Sequence, residues 1–213
     1  MHDLVIRKVN EVFLHIECEK SVAQELSDYF TFYVPGYQFT PAYKSRVWDG
    51  RIRLADLRNF TIYHGLVPYI ETFCKERNYT LEIDSDVNST ENYSVVEAEQ
   101  FISTLNIPLE VRDYQLKSFV HAVRNKRILL LSPTASGKSL IIYTLIRFYM
   151  MHPDLQNKKI IIIVPTTSLV HQMYSDFGDY GWDSEKYCHK IFSGQDKDTD
   201  KRVVISTWQS IFR

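Results

Sequence analysis

Short alternating runs of apolar and polar residues fill positions 1–83. A period of two residues is typical of half-buried strands, because successive side chains of a strand point to opposite faces. Two segments instead repeat apolar residues every three or four positions, which predicts helices that begin near Ser21 and Leu66. The predicted strands are 4–8, 12–17, 39–47, 51–55, 60–64 and 79–83. This mixture predicts a small α+β domain at 1–83.

After residue 95 the apolar positions form longer helical repeats and continuous strands. The strand at 159–164 includes four consecutive isoleucines from Ile160, a run typical of a central parallel strand that is buried on both faces. Strands that alternate with helices predict an α/β fold with a mostly parallel, doubly wound sheet at 96–213. The predicted helices are 112–125, 139–151 and 167–177, and the other predicted strands are 128–131 and 202–206.

A polar and acidic stretch separates these two parts. It runs from Asp84 to Asn92 and contains a single apolar residue. Such a change in composition between two patterned regions is typical of a boundary between domains. We therefore place a linker at 84–95.

The composition is that of a globular protein that uses no disulfide or zinc framework. The 213 residues are 45% hydrophobic and 24% charged, and the net charge of −1 requires any nucleic-acid surface to be local. The cysteines are far apart and form no Cys-x-x-Cys pair, which predicts reduced packing residues. Since the sequence shows neither a signal peptide nor a membrane-spanning run, we expect a cytoplasmic protein without a membrane partner.

The segment after the predicted strand at 128–131 carries the most specific chemistry. It ends in Gly-Lys-Ser and leads into a predicted helix, an arrangement that binds nucleoside triphosphates. Backbone N–H groups can surround the phosphates, and the helix directs its electropositive N-terminus at them. Gly137 allows close approach, Lys138 can neutralise the β- and γ-phosphates, and the Ser139 hydroxyl can ligate Mg²⁺. The predicted ATP-binding residues are Pro133, Thr134, Ala135, Ser136, Gly137, Lys138 and Ser139, of which Lys138 and Ser139 are the predicted catalytic pair.

A second interpretation of this segment stays open from the residues alone. The strict form of such a loop begins with glycine, and this chain has Ser132 at that position. An ordinary strand, loop and helix with a solvated lysine would give the same pattern.

Further segments strengthen the nucleotide interpretation. Arg112-Asp113-Tyr114-Gln115 lies upstream of the loop, Pro165-Thr166-Thr167 follows the isoleucine strand, and Ser193-Gly194 and Thr207-Trp208-Gln209 come later. Together with the loop, they resemble the motifs of the superfamily 2 helicases, in family order, over about 109–212. The resemblance implies a RecA-like first lobe at 96–213 that uses ATP and Mg²⁺. It implies adenine contacts for Arg112 and Gln115, and nucleic-acid contacts for Pro165, Thr166, Thr167, Gly194 and Thr207.

Elementary chemistry supports these roles but does not require them. A glutamine amide can pair with adenine N6 and N7, although Gln115 alone could equally be an exposed helix residue. Threonine hydroxyls just after strand ends can hold phosphates, as can the N–H groups of a following helix. Each of these threonines could instead serve only as a helix N-cap.

A basic and aromatic segment stands out at 43–54. Its Asp49-Gly50 pair predicts a hairpin turn between two strands. Cations interleaved with aromatic rings are typical of a nucleic-acid surface, although a solvated hairpin with a core tryptophan is an equal alternative. The segment also resembles the accessory domain that precedes the motor in phage recombination helicases. The predicted nucleic-acid residues here are Lys44, Arg46, Trp48, Arg51 and Arg53.

The resemblance implies an ATP-dependent DNA helicase or translocase that acts on branched intermediates, or strand junctions, in recombination, repair and replication. No acidic pair able to hold Mg²⁺ and orient water follows Ser139. We therefore interpret the chain as the N-terminal part of a longer motor, inactive by itself, in the host cytoplasm if phage-encoded. The alternatives are an RNA helicase, a restriction-enzyme motor subunit, a P-loop kinase or a fragment that only binds nucleic acid.

Overall fold

The computed structural model describes residues 2–87 and 91–212 and divides into two compact units, Met1–Ser89 and Thr90–Arg213. The division falls inside the predicted linker at 84–95. Residues 88–90 of that linker lie outside the described part of the chain. Its last residue, Val95, already belongs to a helix.

The first unit combines helices with a mostly antiparallel sheet. Its elements are β1 (Leu4–Lys8), β2 (Phe13–Cys18), α1 (Lys20–Tyr29), β3 (Thr31–Tyr33), α2 (Pro41–Lys44), β4 (Arg51–Arg53), β5 (Ala55–Asp56), β6 (Thr61–Tyr63), α3 (Val67–Arg77) and β7 (Leu81–Ile83). The main sheet has the order β5-β6-β2-β1-β7, in which only β7 runs parallel to its neighbour. Strands β3 and β4 form a separate antiparallel pair. The predicted α+β class of this part is confirmed.

Alternation along β1 and β2 builds the core of this unit. Leu4 and Ile6 of β1 and Leu14 and Ile16 of β2 are buried, while the residues between them are not. Both α1 and α3 contribute side chains to the same core, including Phe73 at the centre of α3. Burial of a side chain of this size stabilises the fold by about 2 kcal/mol, so these positions fix the strand register.

The predicted strand at 39–47 is wrong. Residues Tyr37–Phe39 form a 3-10 turn, and α2 begins directly after Thr40, whose hydroxyl accepts a bond from the Tyr43 N–H at 3.4 Å. Pro41 occupies the first helical position, where its missing N–H costs nothing. This helix-start signal is local and overrides the alternating pattern.

The Asp49-Gly50 pair consequently does not join two neighbouring strands. Gly50 has φ +80°, and a Cβ atom there would lie 2.3 Å from the Tyr37 ring, so the position requires glycine. The turn leads into β4, which pairs with β3 rather than with residues 39–47. The predicted strand at 51–55 splits into β4 and β5, which belong to different sheets.

The second unit packs helices around a parallel sheet. Its elements are α4 (Val95–Thr104), α5 (Asp113–Asn125), α6 (Lys138–Met151), β8 (Ile160–Val164), α7 (Thr167–Asp179), α8 (Ser184–Tyr187), β9 (Cys188–Ile191), β10 (Val203–Thr207) and α9 (Trp208–Phe212). The sheet has the order β8-β10-β9 and is parallel throughout. The predicted α/β class with a mostly parallel sheet is confirmed. The pattern analysis missed α4, although Ser94 and Glu97 form a capping box at its start.

One predicted strand of this unit is absent, and another is present but does not have its predicted central position. The run 128–131 forms no strand, and Leu129 and Leu131 are 82% and 87% exposed. Strand β8 lies at the edge of the sheet next to β10, and its Ile161 and Ile163 are exposed. A strand is buried on both faces only when other elements, usually helices, cover both faces of the sheet, and within the described residues the face of β8 that carries Ile161 and Ile163 stays uncovered. No helix of the described residues is long and apolar enough to cross a membrane.

The Arg202 side chain joins the end of α6 to the start of β10. Its guanidinium donates to the carbonyl oxygens of Met150, at 3.0 Å, and Leu155, at 2.7 Å. Met150 lies in the last turn of α6, where carbonyl groups accept no hydrogen bond within the helix, so the cation satisfies its carbonyl. Leu155 ends the 3-10 turn Pro153–Leu155, and its carbonyl also accepts from the Lys158 N–H. The backbone carbonyl of Arg202 itself accepts a hydrogen bond from the Ile160 N–H, at the start of β8.

Replacement of Arg202 by methionine should lower the free energy of unfolding by about 2 kcal/mol, because two charge-assisted hydrogen bonds are lost. Urea unfolding followed by circular dichroism measures this change. The control is Lys117→Met, since Lys117 is solvent-exposed and its ion pair with Asp113 is worth at most a few tenths of a kcal/mol. Equal stability of the two variants would contradict the assigned role of Arg202.

The three cysteines should differ in their reaction with thiol reagents. Burial raises the pKa of Cys188 to about 12 and that of Cys74 to about 11, and it also raises the pKa of the half-buried Cys18. A raised pKa reduces the thiolate fraction at pH 8, and thiolate is the reactive form. Cys18 should therefore be labelled first, with rates rising as the pH increases. Mass spectrometry of the labelled chain checks the order, which should vanish in denaturant.

Candidate nucleotide and nucleic-acid sites

The loop before α6 has an unusual backbone. Ala135 and Gly137 both adopt positive φ, +62° and +75°, and Gly137 is the N-cap of α6. The first N–H groups of a helix have no acceptor within it, and together with the helix dipole they make this end electropositive. The loop and helix start therefore form an anion-binding geometry, as the sequence predicts.

Contacts with the start of α5 fasten this loop. The Gln115 side chain is only 6% exposed, and its Nε2 donates to the Ser136 carbonyl at 3.1 Å. The Tyr114 hydroxyl donates to the same carbonyl at 3.0 Å. A Cβ atom at Gly137 would lie 2.3 Å from Gln115 Nε2, so the close packing of loop and helix requires glycine there.

The predicted adenine residues lie beside this loop. Arg112 is the N-cap residue of α5, its backbone N–H donates to Gln115 Oε1 at 3.0 Å, and its exposed guanidinium lies 3.4 Å from the Tyr114 hydroxyl. The Gln115 amide thus bonds at both ends to backbone atoms. Contact of Arg112 and Gln115 with adenine stays a prediction.

The two predicted catalytic residues begin α6. The Lys138 ammonium donates to the carbonyl oxygens of Pro133, at 2.7 Å, and Ser132, at 3.3 Å. Within the described residues no carboxylate neutralises it. The Ser139 Oγ lies 2.8 Å from the Tyr180 hydroxyl oxygen. The Ser136 Oγ is buried and has no hydrogen-bond partner in the described part of the chain.

A cavity of about 450 Å³ brings together all five predicted nucleic-acid residues of the second unit. Strands β8 and β10 are parallel neighbours with Val164 opposite Thr207, so the residues that follow them meet at one sheet edge. The Thr166 hydroxyl caps α7, and the Thr207 hydroxyl lies 3.0 Å from that of Ser210. The cavity lining includes Pro165, Thr166, Thr167, Gly194, Lys197, Thr207, Gln209 and Ser210.

The predicted basic residues of the first unit line two cavities. One, of about 780 Å³, includes Lys44, Arg46, Trp48 and Arg53, and the other, of about 690 Å³, includes Arg51, Arg53 and Arg58. The Trp48 indole donates to the Arg51 carbonyl at 2.9 Å. We call Lys44, Arg46, Arg51 and Arg53 the basic surface.

Charge is only partly neutralised on the basic surface. Arg53 pairs with Asp49, and the hydrogen bond from its guanidinium holds the pKa of that carboxyl below its ordinary value. Arg51 lies over the Tyr33 ring, 4.6 Å from its centre. Lys44 and Arg46 form no ion pair within the described residues. Two cations therefore remain available to an anionic ligand.

Two hydroxyl groups beside the loop before α6, which we call the nucleotide loop, were not predicted from the sequence: those of Tyr114 and Tyr180. Tyr114 lies inside a recognised motif but was assigned no role, and its bond to the Ser136 carbonyl appears only in the structure. Tyr180 is 41 residues from Ser139 and lies in no motif. Arg58 and Lys197 were likewise not predicted as site residues, although the cluster of cations near Arg53 indicated the first of them.

Both parts of the chain match known protein families. Residues 3–84 match the family model described as "DNA helicase UvsW, N-terminal", and residues 106–213 match that of the "Type III restriction enzyme, res subunit". The "ATP-dependent DNA helicase uvsW" of Enterobacteria phage T4 is 38% identical over 209 residues. That alignment covers 94% of this chain, and the chain spans 41% of the length of this relative.

Two crystal structures of the phage T4 protein also resemble the chain. The structure of the UvsW helicase superimposes with a TM-score of 0.87 at 36% identity, over 98% of this chain and 76% of that one. The structure of T4 UvsW gives a TM-score of 0.87 at 37% identity, over 99% of this chain and 44% of that one. The predicted RecA-like lobe with a preceding accessory domain is confirmed, and the chain belongs to the UvsW helicase family.

Proposed function

We propose that this chain is the N-terminal part of an ATP-dependent DNA helicase or translocase that acts on branched recombination, repair and replication intermediates. The observation that carries the proposal is the position of Lys138 and Ser139 at the start of α6, directly after the loop fastened to α5. The chain is also 38% identical to an ATP-dependent DNA helicase. The geometry and this similarity together favour a nucleotide site over the alternative of an ordinary loop with a solvated lysine. Its site of action is the cytoplasm of the host cell.

The residues of the loop and of the start of α5 have different roles in this proposal. Lys138 would exchange its neutral carbonyl partners for the β- and γ-phosphates, which offer full negative charges. N–H groups from Thr134 onward, with the start of α6, would surround the phosphates. Gly137 keeps the backbone open to them. Arg112 and Gln115 would bind adenine beside Pro133, Ala135 and Ser136.

Magnesium fits the donor set at this loop. Mg²⁺ keeps several waters and binds proteins through few oxygen ligands together with substrate phosphates. Ser139 supplies one hydroxyl at the required place, and no group of three or more His, Cys, Asp or Glu side chains among the described residues could hold the metal alone. The ion would therefore be held by Ser139 jointly with the nucleotide, and it would supply charge neutralisation at the phosphates.

The cavity of the second unit suits a nucleic-acid backbone. Its hydroxyl groups and the N-terminus of α7 can donate hydrogen bonds to phosphate oxygens. Contacts of this kind fix the position of a strand independently of its sequence. A motor that moves along DNA requires this property. We assign backbone contacts to Pro165, Thr166, Thr167, Gly194 and Thr207.

We assign DNA binding by the first unit to the basic surface and Trp48. Phosphates would bind at Lys44 and Arg46, whose charges have no ion-pair partner among the described residues. Trp48 presents part of a ring whose orientation is fixed by its bond to the Arg51 carbonyl, and such rings stack with unpaired bases. Unpaired bases occur at branches and junctions, which matches the proposed substrate.

A restriction-type motor is the second candidate. The match of residues 106–213 to the restriction-enzyme family favours it for the second unit taken alone. The match of residues 3–84 to the UvsW N-terminal family favours the helicase for the chain as a whole.

Replacement of Lys138 by alanine should weaken ATP binding to this chain by at least about tenfold, because the cation next to the β- and γ-phosphates is lost. Titration with a fluorescent ATP analogue in Mg²⁺ measures the change. The control is Lys117→Ala, which removes an exposed lysine from α5. Undiminished binding by Lys138→Ala would contradict the site assignment.

Conversion of the whole basic surface to alanine should weaken DNA binding and flatten its salt dependence. Each lost phosphate contact reduces the slope of log K against log salt by about 0.9 on duplex DNA. Salt titrations of DNA binding by the quadruple variant measure the slope.

The matched control for this variant is the replacement of Arg7, Lys8, Lys20 and Lys75 by alanine, which removes the same charge from elsewhere in the first unit. Its slope should stay closer to that of the wild-type protein. Equal losses in both quadruple variants would show a general charge effect and contradict the assigned surface.

A further inference from the structure

The Ser139 hydroxyl has an unexpected partner. Its Oγ lies 2.8 Å from the hydroxyl oxygen of Tyr180, which follows α7 directly. In the described part of the chain this is the only side-chain hydrogen bond of either residue. A proposed magnesium ligand is therefore joined to a residue far away in the sequence.

Aromatic packing holds Tyr180 in place. The residue is 8% exposed, and its ring centre lies 5.3 Å from that of Tyr143 in α6. Tyr143 in turn packs against Phe177 and Trp182, with ring centres 5.7 Å and 5.8 Å away. Closely packed rings do not change rotamer freely. The position of the Tyr180 hydroxyl is thus set by the core and not by the loop.

The chemistry of a serine ligand makes this position significant. A hydroxyl that ligates a cation presents a lone pair to the metal, so its proton must point elsewhere. The Tyr180 oxygen can accept that proton at hydrogen-bond distance. Partners of this kind orient metal ligands and contribute to metal affinity.

We propose that Tyr180 is a positioning residue that orients the Ser139 hydroxyl for Mg²⁺. The inference rests on the proposed binding of ATP and Mg²⁺ at the loop. Tyr180 would increase the affinity for ATP only when Mg²⁺ is present, and it would contact neither the nucleotide nor the metal itself. A tyrosine that only filled space would affect binding equally with and without Mg²⁺.

The test compares nucleotide affinity with Mg²⁺ and with EDTA. The Kd of a fluorescent ATP analogue is measured on the full 213-residue chain for wild type, Tyr180→Phe, Ser139→Ala and the double variant. In Tyr180→Phe the gain in affinity from Mg²⁺ should fall roughly tenfold. The affinity in EDTA should change less than about twofold. The double variant should lose no more than Ser139→Ala, because the two hydroxyls act through one bond.

The matched control is Tyr187→Phe. Tyr187 also belongs to the aromatic core, with its ring stacked on Trp182 at 5.1 Å, but no hydrogen bond of its hydroxyl occurs within the described residues. This variant should keep the wild-type gain from Mg²⁺. Tyr180→Met, which lacks both the hydroxyl and the ring, serves as a second variant, and thermal unfolding verifies that each variant is folded.

The outcomes separate the inference from the proposed function. A wild-type gain from Mg²⁺ in both Tyr180 variants, or additive losses in the double variant, overturns the role of Tyr180 alone. A wild-type chain that binds the nucleotide no better than Lys138→Ala overturns the proposed function, and the role of Tyr180 with it. Loss of the gain in Tyr180→Phe and Tyr180→Met, with Tyr187→Phe unchanged, supports the inference.

Discussion

The nucleotide loop depends on one carbonyl group, that of Ser136. It accepts hydrogen bonds from both Gln115 and Tyr114, and these bonds attach the loop to the start of α5. The run that precedes the loop is not held in a sheet, so within the described residues these contacts attach the loop to the rest of the unit, while Lys138 bonds to the Pro133 and Ser132 carbonyls inside it. Because the Gln115 amide fills the space beside Gly137, the absence of a Cβ there is a condition for the whole arrangement.

The two units contain two kinds of candidate anion site. In the second unit, backbone N–H groups, hydroxyls, Lys138 and Lys197 contribute to the candidate sites, which suits phosphates held in fixed geometry. In the first unit, cationic side chains and an oriented tryptophan line one cavity, which suits a ligand with exposed bases and a charged backbone. A net charge of −1 for the chain is compatible with both, since each positive surface is local.

Sequence reasoning succeeded where a signal is local and strong. The Gly-Lys-Ser ending, the alternation in β1 and β2, and the helical repeats of α5, α6 and α7 all appear in the structure. It failed at 39–47, where a cap at Thr40 and Pro41 directs the chain into a helix in spite of alternation. It also failed at 128–131, because an apolar run does not reveal whether neighbouring strands are present to bury it.

The sequence by itself determined the fold classes and indicated the two-part organisation, because helix period and strand period depend on neighbours in the chain. Loop chemistry, which is equally local, predicted the phosphate-binding residues before α6. Only the tertiary structure decided that Gln115 and Tyr114 hold the loop, that five residues from three segments share one cavity, and that Tyr180 meets Ser139. The three hydrogen bonds join residues 21 or more positions apart. Their geometry follows from how helices and strands pack against one another, and the local sequence pattern does not predict that packing.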